Sequence, residues 1–235
     1  MADWRSFWDG EHAIYVDQRH KTVHYQEIAK GILAHLADVP AGQQAVVLDY
    51  ACGEALEAAE VAARCARLVL CDGAPSVVAK LAERFASDPK IAACTPEDLD
   101  AALADGTADL IVVSSLIQYL SRADFEALLD RFAAKLKPGG RFVLADVISP
   151  DAGMVADILA LLRNGARHGY FLSALVGLVA TAVSPYRKIR SELGLATYAP
   201  DDILGLLKSH CFAANRHQPN LGLSPHRMTF VAIRS

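Results

Sequence analysis

The 235-residue chain has no cysteine pair in CxxC spacing, no internal repeat, no low-complexity tract and no excess of positive charge. Each absence removes a class of protein. Cys52, Cys65, Cys71, Cys94 and Cys211 are odd in number and read as reduced thiols, which suits a cytoplasmic protein better than a disulfide framework. A net charge of −4 gives no overall attraction to nucleic acid, so no nucleic-acid partner is expected. The start, Met1-Ala2-Asp3-Trp4-Arg5, is polar and holds no apolar signal core, so nothing in it suggests export. Gly169 to Tyr186 carries no formal charge, but its dense apolar part, Tyr170 to Val183, reaches only about 21 Å as a helix. That falls short of a hydrocarbon core of ~30 Å, and a buried or interfacial helix is expected instead.

What is present is a packed core: the composition is 53% hydrophobic and 21% charged. A helix is expected from about Asp17 to Leu36, with Tyr25, Ile28, Ile32 and Leu36 on one stripe. Pro40-Ala41-Gly42 then breaks the chain. Apolar runs at 45–48, 68–71, 90–93, 109–113 and 141–145 read as strands, separated by helical patterns to about Cys65, from Pro75 to Phe85 and from Arg122 to Leu136. Continuous apolar strands alternating with amphipathic helices indicate a parallel sheet covered on both faces. Residues 149–199 then read as helices with no strand between them, before a helix at Pro200 to Ser209 and a strand at Met228 to Ile233. The expected organisation is an N-terminal helical lid at 1–40, a core at 41–150, a helical cap inserted at 151–199, and a final helix and strands at 200–235.

Ligands of an open parallel sheet bind beyond the carboxyl ends of its strands. The first strand closes on Asp49, and small residues at 51, 53 and 55 let the backbone turn tightly beside a ligand. The helix after it would aim free N–H groups at the same spot, although an ordinary strand-to-helix turn has the same composition. Leu70-Cys71-Asp72-Gly73 ends the second strand on another acid, 23 positions further on. A carboxylate there can accept both hydroxyls of a ribose, or simply cap the next helix. Together Asp49 and Asp72 favour a nucleoside ligand.

At this point the chain resembles class I S-adenosylmethionine-dependent methyltransferases of the small-molecule type, with type 11/12-like domains. Val47 to Gly53 is similar to their first motif, Leu70-Cys71-Asp72 to the acidic second, Asp109 to Ser115 to the fourth-strand motif, and Leu136 to Leu144, with Lys137-Pro138-Gly139-Gly140, to the turn before the fifth strand. Four motifs in order over about 45–150 are more specific than any one alone. The resemblance implies a Rossmann-like α/β fold with a mainly parallel seven-stranded sheet, and S-adenosylmethionine as cofactor. It implies that Asp49, Ala51, Cys52 and Gly53 surround the methionine end, and that Asp72, followed by Gly73, holds the ribose. Thr95, Pro96 and Glu97 would flank the adenine, and Ser114, Ser115 and Leu116 would lie below the sulfonium. Ala51 and Ala55 stand where glycines are usual, and Thr95 where many relatives place an acid.

The acceptor is less legible. Positioning is the main demand of methyl transfer, and a base is required only for a nucleophile that arrives protonated. No Asn-Pro-Pro-aromatic motif is present. Tyr119 and His24 are the candidate catalytic side chains. His20 and His24 share a helix face at metal-ligand spacing, yet no acidic third ligand lies within that turn, and no metal is expected. In the cap, Tyr170, Tyr186 and Arg187 are candidate substrate contacts. Apolar runs ending in Tyr186-Arg187-Lys188-Ile189-Arg190 would suit a small or lipid-like acceptor with an anionic head, or peripheral contact with a membrane. A cap that buries its own face or forms a dimer contact is the plainer reading. A nicotinamide dehydrogenase fits poorly, because its third glycine would fall on Leu56. A non-catalytic domain of the same fold remains the alternative.

Overall fold

The computed structural model describes residues 8–9, 15–182 and 195–235. Its strands are β1 (Val46–Tyr50), β2 (Arg67–Cys71), β3 (Ile91–Cys94), β4 (Ala108–Ser114), β5 (Leu136–Val147), β6 (Phe212–His217) and β7 (Met228–Arg234). They form one 7-stranded sheet in the order β3-β2-β1-β4-β5-β7-β6. Pairing is parallel from β3 to β5, and β7 runs antiparallel between β5 and β6. The order reverses between β1 and β4, which opens a crevice at their carboxyl ends. The Rossmann-like α/β fold with a mainly parallel seven-stranded sheet, expected from the sequence, is the fold observed.

Alternate residues of each central strand bury into opposite layers, as a sheet covered on both faces requires. Leu48, Val69, Ile111, Val113 and Phe142 pack on one side against α5 (Arg122–Lys135) and α8 (Pro200–Ser209), through Phe125, Leu129, Phe132, Ile203 and Leu207. Val47, Leu68, Leu70, Leu110 and Val112 pack on the other, against Ile32 and Leu36 of α1 (Gln18–Ala37), Val61 of α2 (Ala58–Ala62) and Leu81 of α3 (Pro75–Arg84). A short α4 (Leu99–Ala102) follows β3. The Asp17 side chain caps α1, accepting from the His20 N–H at 2.7 Å. Prolines at the first turn start α3 and α8 where their sequences place them.

Two elements differ from expectation. The Ala-rich stretch running to about Cys65 yields only the five-residue α2, because the chain first passes through left-handed residues at 51, 53 and 55. The helix dipole expected beside the ligand therefore starts at Ala58, beyond the turn itself. Strand β5 also begins earlier than Arg141: Leu136 pairs with Ala108, and the Lys137-Pro138-Gly139-Gly140 turn is carried as a bulge with Gly139 at φ 76°.

The inserted segment forms α6 (Met154–His168) and α7 (Phe171–Ala182), joined through left-handed Gly169. A Cβ on Gly165 would lie 2.9 Å from the Cα of Phe171, so glycine lets the two helices touch. Tyr170 and Ala174 bury with Val23 and tie the insertion to α1. Its outer face is not buried: Val155 is 68% and Leu172 76% exposed. Among the described residues no helix is long and apolar enough to cross a membrane.

Candidate active site

A cavity of about 1420 Å³ opens at the carboxyl ends of β1, β2, β4 and β5. That is larger than the ~300–1,000 Å³ usual for one drug-sized ligand, and it leaves room for two reactants. Asp49 and Asp72 both line it, at the tips of paired strands.

Between these acids runs the turn 51–55. Ala51 (φ 61°), Gly53 (φ 56°) and Ala55 (φ 40°) are all left-handed, so alternate positions adopt the backbone that glycine accepts without strain. Space also restricts Gly53, where a Cβ would stand 2.6 Å from the Tyr25 hydroxyl oxygen. That hydroxyl accepts from the Glu54 N–H at 2.8 Å, and Lys21 pairs with Glu54, which fastens α1 over the turn. Alanine in a left-handed conformation costs about 1–2 kcal/mol, partly offset by the lower chain freedom of alanine when unfolded. Ala51→Gly or Ala55→Gly is therefore expected to stabilise the protein by about 0.5–1 kcal/mol. Urea unfolding is the measurement, and an unchanged or lower midpoint contradicts the account.

Asp49 is 8% exposed, and its carboxyl is pushed up to about 7 by burial and then by the neighbouring charge of Asp72. Asp72 is raised by burial too, held back by the N–H groups of Ala74 and Gly53, each 2.9 Å from one of its oxygens. Two carboxyls at one wall, short of positive charge, form a cradle for a cationic ligand. By contrast Asp109, at the opposite end of β4, is fully engaged by the Val46 N–H and by Lys137, each at 2.8 Å. Cys52 lines the cavity, but burial raises its thiol well above its ordinary range, so it stays protonated rather than nucleophilic.

Of the other residues singled out by sequence, Gly73, Pro96, Glu97, Ser114, Ser115, Leu116, Tyr119 and His24 also line the cavity. Thr95 does not: its hydroxyl donates to Asp98 at 2.9 Å within its own loop. Tyr170 lies behind His20, stacked on that ring at 4.8 Å, rather than on the cavity wall. Tyr186 and Arg187 lie outside the described residues, as does the basic end of the insertion. His24 packs against Tyr15 and Tyr25, and burial, then His20, brings its pKa down to about 4, which makes it a weak proton acceptor at neutral pH. Tyr119 sits in a 3-10 turn (Ile117–Tyr119) with its ring edge-on to Trp8 at 5.6 Å.

Sequence reasoning missed Asp146 and Arg227. Asp146 stands at the carboxyl end of β5, left-handed at φ 60°, and its Oδ2 accepts from the Ser115 hydroxyl at 2.7 Å. Arg227 is joined to Asp157 of α6 at 2.8 Å. All four line the same cavity. The signal for Asp146 was a charge closing an apolar strand, the same signal that marks Asp49 and Asp72.

Residues 47–140 match a family described as a methyltransferase domain. A stretch of 65 residues is 34% identical to the carboxy-S-adenosyl-L-methionine synthase of Colwellia psychrerythraea, spanning 27% of each chain. The match thus covers about a quarter of that relative's length. Among solved structures, magnesium protoporphyrin IX methyltransferase from Synechocystis PCC 6803 with bound S-adenosylmethionine superposes with a TM-score of 0.56 at 15% identity, over 99% of this chain and 89% of that one. The N-methyltransferase NodS from Bradyrhizobium japonicum, with S-adenosylhomocysteine, gives 0.55 at 18% identity, over 89% and 86%. At such identities the likeness is one of fold.

Proposed function

We propose that this chain, whose residues 47–140 match a methyltransferase domain, moves a methyl group from S-adenosylmethionine to a small acceptor. The observation that carries this reading is the pair of acids, buried Asp49 and half-buried Asp72, on one cavity with the left-handed turn between them. Their need for positive charge fits a sulfonium nucleoside, and Gly53, whose missing side chain makes room for the Tyr25 hydroxyl, turns the backbone between them. Asp72 would take the ribose hydroxyls, Asp49 and the 51–53 turn the methionine end, Pro96 and Glu97 the adenine flank, and Ser114 to Leu116 the floor. When bound, the cofactor supplies a methyl carbon activated by positive sulfur. The chain supplies alignment and exclusion of water, and positioning of this kind contributes several kcal/mol.

The helix α1, fastened through Tyr25 and Lys21 to the turn, would serve as the lid, with α6 and α7 as a cap over the acceptor end. One structural neighbour acts on magnesium protoporphyrin IX and another is an N-methyltransferase, so the fold leaves the acceptor open. Calorimetric titration with S-adenosylmethionine and with S-adenosylhomocysteine is the test. Saturable heat from both is expected. No heat from either would favour a non-catalytic domain, an alternative kept alive by Ala51 and Ala55 at two glycine positions.

A further inference from the structure

The cavity has more wall than one nucleoside needs, and the excess lies beyond β4 and β5. There Ser115 and Asp146, neighbours at the two strand tips, are both left-handed, at φ 56° and φ 60°, although neither is glycine. Two such residues store strain at one place, a cost that persists only where surrounding bonds hold it. Those bonds converge on the Asp146 carboxyl. The Ser115 hydroxyl donates to one oxygen at 2.7 Å, and the Asn220 amide lies 3.4 Å from the other. Asn220 is itself fixed, donating to the Ser224 carbonyl at 2.9 Å and accepting from Thr229 at 2.8 Å. The result is a carboxyl held rigidly on the wall of a cavity.

Charge at this end decides what it can receive. Arg227 lies within electrostatic reach of Asp146, but Asp157 already neutralises it at 2.8 Å. His20 is kept neutral by burial, and its Nδ1 faces the Val16 N–H at 3.4 Å. Among the described residues of this wall no cation is left over for an anionic head, whereas one carboxylate is left over for a cationic one. Gln118, on the same wall, adds a buried side-chain oxygen without a hydrogen-bond partner; its amide nitrogen is committed to the Ser115 carbonyl at 2.7 Å. Trp8 and Tyr119 form an aromatic corner on the wall, a surface that also favours cations.

Resting on the methyltransferase reading, we propose that Asp146 is the acceptor-binding carboxylate and that the acceptor is an amine, held as its ammonium. The ammonium proton passes to an Asp146 oxygen, which frees the nitrogen lone pair. The nitrogen–methyl bond then forms as the sulfur–methyl bond breaks, and that electron pair returns to sulfur. The head group is thus opposite in sign to the anionic one suggested by the basic run after Val183.

Three probes with one tail, n-octylamine, 1-octanol and octanoate, titrated calorimetrically into the full chain saturated with S-adenosylhomocysteine, test this. Octylamine is expected to bind at least tenfold more tightly than the other two. Asp146→Asn is expected to lose that preference while holding S-adenosylhomocysteine within threefold of wild type. A preference for octanoate, absence of octylamine binding, or undiminished preference in Asp146→Asn overturns the proposal. The comparison of the three probes on wild-type protein stands even if the variant fails to fold. Failure to bind S-adenosylhomocysteine at all would instead remove the methyltransferase reading, a distinct result.

Discussion

Asp72→Ala is expected to weaken S-adenosylhomocysteine binding at least 100-fold while the protein stays folded. The residue closes β2, and each of its oxygens already accepts one backbone N–H, from Gly53 and from Ala74. An ionised carboxylate has about four acceptor positions, so one lone pair on each oxygen remains for a ligand. Two ribose hydroxyls filling them would each make a charge-assisted bond worth roughly 1.5–3 kcal/mol, and the loss of both gives a factor above 100. The same substitution releases the Gly53 N–H, which holds the turn against β2. That should cost about 1–2 kcal/mol and lower the melting temperature by a few degrees. Asp72→Asn keeps one acceptor oxygen in place and should fall between wild type and alanine. Calorimetry for affinity and circular dichroism for folding separate the two effects. Binding by Asp72→Ala within threefold of wild type would falsify the ribose assignment.

The strand tips also explain how much could be read in advance. Six of the seven strands announced themselves as mainly apolar runs, the five parallel ones because a parallel sheet buries both faces and leaves no polar alternation to blur them. Helix α8 was legible at both ends, since Pro200 fixes its start and polar residues follow Leu207. The turn after β1 was half legible. Gly53 signals left-handed backbone, but Ala51 and Ala55 do not, and alanine is the strongest helix former, so the run to Cys65 read as helix where a turn was needed. Strand β6 had no signal of its own, because Asn215, Arg216 and His217 give an edge strand the look of a loop. Asp146 was hidden differently. The rule that acids at strand ends mark a site was applied to the first two strands, while the fifth was taken to end at Ala145, two residues short of Val147, which left Asp146 outside it. Its partners Asn220 and Arg227 lie more than 70 residues further along, brought back only by the β6–β7 return, and no local pattern reports such an approach.

The second large effect is a coupling of cofactor affinity to pH. Asp49 differs from an ordinary aspartate in the direction that burial dictates: from 3.8 its carboxyl rises to about 7 in the folded protein. Between about pH 4 and 7 the native state therefore binds more protons than the unfolded chain, and this group's contribution to stability falls as pH rises through that window. The difference amounts to on the order of 4 kcal/mol once Asp49 is fully ionised. His20 and His24 oppose it, since their depressed pKa values favour the native state at higher pH, so the melting temperature of wild type alone does not isolate the effect. The difference between wild type and Asp49→Asn does, and it should grow from pH 4 to pH 7 in favour of the variant. Binding reverses the sign. A cofactor carrying positive sulfur and an ammonium stabilises ionised Asp49, so it must displace the proton that burial retains. Affinity for S-adenosylmethionine should accordingly rise up to tenfold per pH unit below pH 7 and level off above it. Protonation of His20 and His24 at low pH would act in the same direction, and Asp49→Asn, leaving both histidines in place, measures their share. Calorimetry at pH 6 in buffers of different ionisation enthalpy should count close to one proton released per cofactor bound by wild type, and much less by the variant. Equal proton release from the two proteins would mean that Asp49 is already ionised before the cofactor arrives, and that the cradle owes its affinity to the turn and to Asp72.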